Sequence, residues 1–389
     1  MLQLKQELNA LEEAGLYRRM VSLASETGPR VTIEGRQVLL LASNDYLGLA
    51  AHPRMKARAQ EAAARWGTGA GASRLVSGNN ELLDELESAL ARFKQTEAAL
   101  VFNTGYMANA GLLQALAGPE DVIFSDELNH ASIIDGCRLS RARVEVYPHR
   151  GTRTLAALLE KYGRHRRRFI ITDGVFSMDG DLAPLPKLAT LAAGHDATLI
   201  VDDAHGTGCL GPTGRGSLEY FCLDGSPDII VMATLGKALG SFGAFVAGSL
   251  DLRQYLINRA RSFIFTTALP PSVAASSLEA LQILDDEPAL RQRLSENADF
   301  LRAGLRAWGF NTLDSSTQII PVLIGAPDRA VAMARRLFEK GIFIQAIRPP
   351  AVPQGMSRLR ITVMATHTPQ DLEWALDVLG KTGKELGII

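Results

Sequence analysis

The feature that most constrains this chain is a series of short apolar runs between residues 98 and 248: "AALVFNTG", "DVIFSD", "VEVYPH", "RFIITDGVFS", "ATLIVDDAHG", "PDIIVMATLGK" and "GAFVAG". A strand with one wet face alternates apolar and polar residues, so an unbroken run indicates a strand covered on both faces. Helical patterns separate most of the runs, and the economical arrangement is a mostly parallel sheet with helices on both sides. Ahead of it the sequence predicts an amphipathic opening helix, a strand pair in "RVTIEGRQVLLLAS" turning at Glu34-Gly35, and helices over 53–66 and 80–94. Past "FIFTTALPPSVAAS" and a helix through Leu284, the order changes to a helix around 288–308, strand "IIPVLIG", helix 327–340, strands "IFIQAI" and "RLRITV", and a helix from Pro369. The fold class is α/β. The expected division is an N-terminal helix and strand segment (1–45), a large α/β domain (46–275) and a smaller C-terminal α+β domain (276–389).

With 389 residues, 47% of them hydrophobic, the chain can bury a sizeable core. A formal net charge of −1 gives no global reason to bind nucleic acid or an anionic membrane surface. The one basic run, Arg164 to Arg168, reads as a solvated connection between a helix and a strand. Cys137, Cys209 and Cys222 are too few and too unpatterned for a disulfide framework, and no apolar stretch is long enough to span a bilayer. The expected setting is the cytoplasm.

In an open α/β sheet the functional site lies beyond the carboxyl ends of the strands. Polar residues gather at five of those ends: Asn103 to Gly105, Asp126 to His130, Asp173 with Ser177, Asp202 to His205, and Thr234 to Lys237. Lys237 is the single charged residue of "MATLGKALGSFGAFVAG" and has no carboxylate near it in sequence. A desolvated ammonium without a partner loses its proton more readily and becomes a nucleophile; otherwise the side chain snorkels from a tight turn. Asp202 and Asp203 lie on opposite faces of their strand. Three uses compete for such an acid: a bond to backbone amides, a metal site with His205 or His130, or a pair with a protonated ring nitrogen. No metal-binding spacing supports the second, and no metal is expected. "GTGAGASR" invites a nucleotide-binding reading, but it lacks the GxGxxG spacing and a preceding βαβ strand; glycines that permit positive φ explain it better. Gly105 and Tyr106 at a helix start, with the Thr234 hydroxyl, form a phosphate cradle. A cradle, an imidazole, a carboxylate and an isolated lysine are the parts that pyridoxal 5'-phosphate (PLP) requires.

In order along the chain, "SNDYLGL", "FNTGYMAN", "NHASIIDG", "DGVFSMDGD", "VDDAHGTG", "TLGKALG", "FTTALPP" and "RPPAVPQGMSRLRIT" resemble the α-oxoamine synthases, a branch of the fold-type I PLP enzymes. The resemblance spans nearly the whole length. It implies that Lys237 forms the Schiff base and moves the substrate proton, with His130 over the cofactor ring and bonded to developing charge. It places Asp202 on the ring nitrogen, His205 and Ser177 near the ring hydroxyl, and Gly105, Tyr106 and Thr234 on the phosphate. Thr266 or Thr267 is implied to reach the phosphate of a neighbouring subunit, hence a homodimer with shared sites. Arg360 with Asn44 is implied to hold an amino-acid carboxylate, and Arg18 to meet the acyl substrate. The "IRPPAVP" and "GMSRLRIT" segments favour L-alanine and a pimeloyl thioester, carried by coenzyme A or an acyl-carrier protein, in biotin synthesis; siblings use glycine. Arg348 is then the candidate for the distal carboxylate, or else a surface arginine ahead of two prolines. Tyr106 replaces a common phenylalanine and Leu83 a common histidine, the latter read as packing. The rival classes are an aminotransferase and a nucleotide-binding α/β protein.

Overall fold

The computed structural model describes residues 3–13 and 16–389, which form two compact units. The larger comprises 49–177 and 182–291; the smaller gathers 1–48, 178–181 and 292–389. The borders thus fall at 48/49 and 291/292, where the sequence reading sets them at 45/46 and 275/276.

A seven-stranded sheet organises the large unit, in the order Ala98–Phe102, Ala244–Gly248, Ile229–Thr234, Thr198–Asp202, Arg168–Asp173, Val122–Asp126, Arg143–Tyr147. Only Ala244–Gly248 runs against its neighbours. Every residue of Ala98–Phe102, Val122–Asp126 and Ala244–Gly248 is buried, as unbroken apolar runs require. Helix Gly105–Leu116 packs its Ala108, Leu112 and Leu113 into the core with Phe102, Ile123, Met232 and Phe263. Leu83 is completely buried on helix Glu81–Lys94, a packing residue as its stripe of leucines indicates. The chain order moves from one edge of the sheet to the other and back, and that reversal opens a crevice at the carboxyl ends.

In the small unit, Arg30–Ile33 and Arg36–Leu40 form the expected hairpin, with Glu34 (φ 50°) and Gly35 (φ 73°) both left-handed at its two-residue turn. "IFIQAI" is not one strand. Ile342–Phe343 pairs in parallel with Arg36–Leu40, whereas Gln345–Ile347 pairs with Ser357–Thr362 in the antiparallel sheet completed by Ile319–Gly325. Helix Leu4–Glu13 forms, but none of its residues is buried.

Candidate active site

Loops following five strands close around a cavity of about 200 Å³. Gly105 and Tyr106 enter it from the helix after Ala98–Phe102, and His130 and Ser132 from the segment after Val122–Asp126. Asp173 and Ser177, Asp202 and His205, and Thr234 and Lys237 follow from the other three strand ends. Asn103 and Asp126, two strand-end residues outside the cavity lining, have structural duties. The Asn103 amide donates to the Thr267 carbonyl (2.7 Å), and Asp126 accepts the Leu128 and Arg150 N–H groups.

The pleat separates the two aspartates. Asp202 turns into the cavity, accepting N–H bonds from Ala204 (3.0 Å) and from the Asn109 amide (2.7 Å). Asp203 turns away and is wholly buried. It accepts from Lys94 Nζ (2.9 Å), Thr207 Oγ1 (2.7 Å) and the Ser217 N–H (3.0 Å). Register pairs Asp202 with Asp173 on the adjacent strand. Burial pushes the Asp202 carboxyl above the usual range, against the opposing pull of Lys237 and of its hydrogen bonds. Asp173 is raised well above it by burial and then by the negative charge of Asp202, while its Oδ2 holds the His130 N–H at 3.0 Å.

Lys237 Nζ lies 2.9 Å from His205 Nε2, which fixes both groups on the cavity wall. The turn that carries Lys237 is tightly specified. Gly240 has φ +59°, and a Cβ there would press into the backbone of Leu49 and Ala50. Thr234 Oγ1 donates to the Gly243 carbonyl (2.9 Å) and accepts the Gly236 N–H (3.1 Å), tying down the same turn from its start. Thr104 caps helix Gly105–Leu116 by accepting the Met107 N–H. The first-turn N–H groups of Gly105 and Tyr106 have no partner within the helix and suit a phosphate. The Tyr106 hydroxyl bonds Asp135 of helix Ala131–Ser140, a tie that phenylalanine lacks.

This donor set fits PLP. A buried carboxylate with no formal cation bonded to it awaits a protonated ring nitrogen, an amine stands across the cavity, and a helix N-terminus offers amides to a phosphate.

Thr266 and Thr267 do not line the cavity; Asn103 Nδ2 approaches both, at 3.5 Å from Thr266 Oγ1. Arg18, Asn44, Arg348 and Arg360 belong to the small unit. There the Arg360 guanidinium donates to Asn44 Oδ1 (3.2 Å), which also accepts the Tyr46 hydroxyl (3.1 Å). Arg348 lines a separate open cleft of about 740 Å³ with Arg335 and Arg336, and Arg18 is exposed. Sequence reading missed two residues of the site: Ser132, which lines the cavity, and Asn109. Asn109 stands one helical turn after Gly105 and so faces the same strand ends, a spacing that could have revealed it. The basic run is also more than a solvated connection: Arg166 and Arg167 both clamp fully buried Asp121 (3.0 and 2.9 Å). Burial alone would raise that carboxyl, but the two guanidinium groups hold it well below the usual range.

Fold and donor set together define a class, the fold-type I PLP-dependent enzymes, and comparison with known proteins agrees. The chain belongs to the aminotransferase class I and II family, whose model matches residues 36–379. It is 56% identical to the 8-amino-7-oxononanoate synthase of Geobacter sulfurreducens over 98% of both chains. Its identity to that of Geobacter metallireducens is 54%, over 99% of this chain and 98% of the other. Among solved structures, a variant serine palmitoyltransferase from S. paucimobilis with a bound PLP–myriocin aldimine matches with a TM-score of 0.94 and 33% identity, over 99% of this chain and 98% of that one. The 8-amino-7-oxononanoate synthase of Francisella tularensis matches with a TM-score of 0.78 and 30% identity, over 90% and 98%.

Proposed function

We propose that the protein condenses L-alanine with a pimeloyl thioester, releasing carbon dioxide and the carrier thiol and forming 8-amino-7-oxononanoate, a step of biotin synthesis. The observation that carries this is identity above half, over nearly the full length, to relatives of that name. Similarity to serine palmitoyltransferase is lower in sequence, and supports the shared chemistry more than its substrates.

PLP bound in the cavity supplies an electron sink for the charge left at the amino acid's α-carbon. The Lys237 amine takes the α-proton and returns a proton after decarboxylation; its confinement to the cavity wall makes it a positioned base. Asp202 would keep the cofactor nitrogen protonated, His205 and Ser177 would bond near the ring hydroxyl, and Gly105 and Tyr106 would offer N–H groups to the phosphate, with Thr234 joining them once its hydroxyl turns from the Gly243 carbonyl. His130, on the cavity wall, would lie against the ring and offer a hydrogen bond to the oxygen that gains charge at the thioester carbon. Arg360, steadied by Asn44, is the bidentate fork for the amino-acid carboxylate. Arg348 answers the distal carboxylate of the pimeloyl chain and Arg18 the acyl substrate. Thr266 or Thr267 serves the phosphate of a second subunit in a homodimer. A cytoplasmic setting accords with three free thiols, and among the described residues no helix is long and apolar enough to cross a membrane.

The test is thiol release by the PLP-loaded protein with alanine, glycine or serine against pimeloyl, acetyl or palmitoyl thioesters, the pimeloyl group on coenzyme A and on acyl-carrier protein. Release confined to alanine with a pimeloyl thioester is expected. Turnover of glycine with acetyl thioester, or of serine with palmitoyl thioester, at a higher rate contradicts the assignment.

A further inference from the structure

Behind the cavity a buried chain of polar groups joins the cofactor-facing carboxylate to the ring of His130. Asn109 is completely inaccessible, and its Nδ2 reaches both Asp202 Oδ2 (2.7 Å) and Ser132 Oγ (2.9 Å). Ser132, also buried, places its Oγ 2.7 Å from His130 Nδ1. Among the described residues none hydrogen-bonds the amide oxygen of Asn109. Its orientation is therefore set by its two donors alone.

The proton positions follow. An ionised carboxylate only accepts, so the amide must meet Asp202 with N–H, and an amide nitrogen only donates. Ser132 Oγ accepts the second amide hydrogen and turns its own hydrogen to His130 Nδ1. A second donor makes the same demand: the Ser132 backbone N–H reaches Nδ1 at 3.2 Å, where His130 caps helix Ala131–Ser140. A neutral imidazole that accepts at Nδ1 carries its hydrogen on Nε2. Although the ring is open to the cavity, the protein around it desolvates the charged form, and Lys237 adds to this against the pull of Asp202, so a second proton is disfavoured.

We propose that Asn109, acting through Ser132, is a positioning residue that fixes His130 as the Nε2–H tautomer, so that His130 meets the substrate as a hydrogen-bond donor and not as a base. The inference rests on the PLP reading given above and deepens it: the residue that steadies Asp202 for the ring nitrogen also sets the polarity of the group over the ring. Lys237 is then left as the base, and His130 suits an oxygen that gains negative charge.

The experiment is nitrogen NMR of PLP-loaded protein labelled with ¹⁵N-histidine, His130 being assigned by the signal lost in His130→Gln. A protonated Nε2 with an unprotonated Nδ1 at neutral pH is expected. A proton on Nδ1, alone or on both nitrogens, overturns the proposal. In Asn109→Leu the Nδ1–H tautomer gains population against the Ser132 backbone N–H that still faces Nδ1, and PLP binds about ten-fold more weakly because a hydrogen bond to a charged group is gone. An unchanged tautomer and kcat in that variant overturns the role of Asn109. Ser132→Ala, which keeps Asn109 on Asp202, retains PLP affinity within about two-fold while kcat falls about ten-fold; unchanged kcat there removes the relay. Protein that takes up no PLP overturns this proposal together with the functional reading, whereas loaded protein with the Nδ1–H tautomer overturns this proposal alone.

Discussion

Asp202 and Asp203 are chemically identical neighbours to which the strand gives opposite tasks, one facing cofactor space and the other a buried lysine. Asp202→Asn keeps the shape and removes the charge. It is expected to weaken PLP binding about ten- to a hundred-fold, read by titration of the visible band, with the fold intact by circular dichroism. Binding of PLP at wild-type affinity would show that the charge is not used. A second residue sets the response to acid. His367 is buried in the small unit, where Nδ1 accepts the Met364 N–H (2.9 Å) and Nε2 donates to the Leu40 carbonyl (3.1 Å). Burial lowers its pKa from 6.5 to about 4. Between those values the unfolded chain binds the proton and the folded one does not, so stability falls as the pH falls, by about 1.4 kcal/mol per unit. Urea unfolding at stepped pH is expected to show that component in the wild type and not in His367→Gln; equal slopes would mean that His367 is protonated in the folded state.

Among the elements, the loop from Asp202 to Gly208 is held from behind by an ion pair that the sequence did not announce. Lys94 lies at the end of its helix with the side chain almost wholly buried, bonded to Asp203 and to Thr207 Oγ1 (2.6 Å), and the same loop carries His205 to Lys237. Lys94→Met leaves Asp203 as an uncompensated buried charge, at a cost of about 3–5 kcal/mol. Denaturant unfolding measures it, and a loss below about 1 kcal/mol would place the pair among the weak surface bridges. Six strands of the large sheet were legible because a strand covered on both faces must be apolar throughout, whereas the seventh, Arg143–Tyr147, is an exposed edge whose "RVEVY" alternates. The division of "IFIQAI" between two sheets was not legible, since a single glutamine inside an apolar run does not say that the strand changes partner there. The clamp on Asp121 escaped notice for a related reason: charge runs show no partner until the chain is folded.

For the molecule as a whole, the sequence located the site better than it explained it. A parallel sheet collects its strand ends on one edge, so five polar clusters far apart in the chain could be assigned to one cavity from strand order alone. What was hidden is the second layer of contacts: Ser132 and Asn109, the latter marked only by standing one helical turn after Gly105, and Lys94, which reads as an ordinary helix-end cation. Among the described residues Lys237 is the one lysine that lines that cavity, and the amine proposed to meet PLP there. Loading the protein with PLP, reducing it with borohydride and mapping the modified peptide by mass spectrometry tests this most directly. A single adduct on Lys237 is the expected result, abolished in Lys237→Ala; an adduct on another lysine, or none despite a saturating aldehyde, would contradict the account.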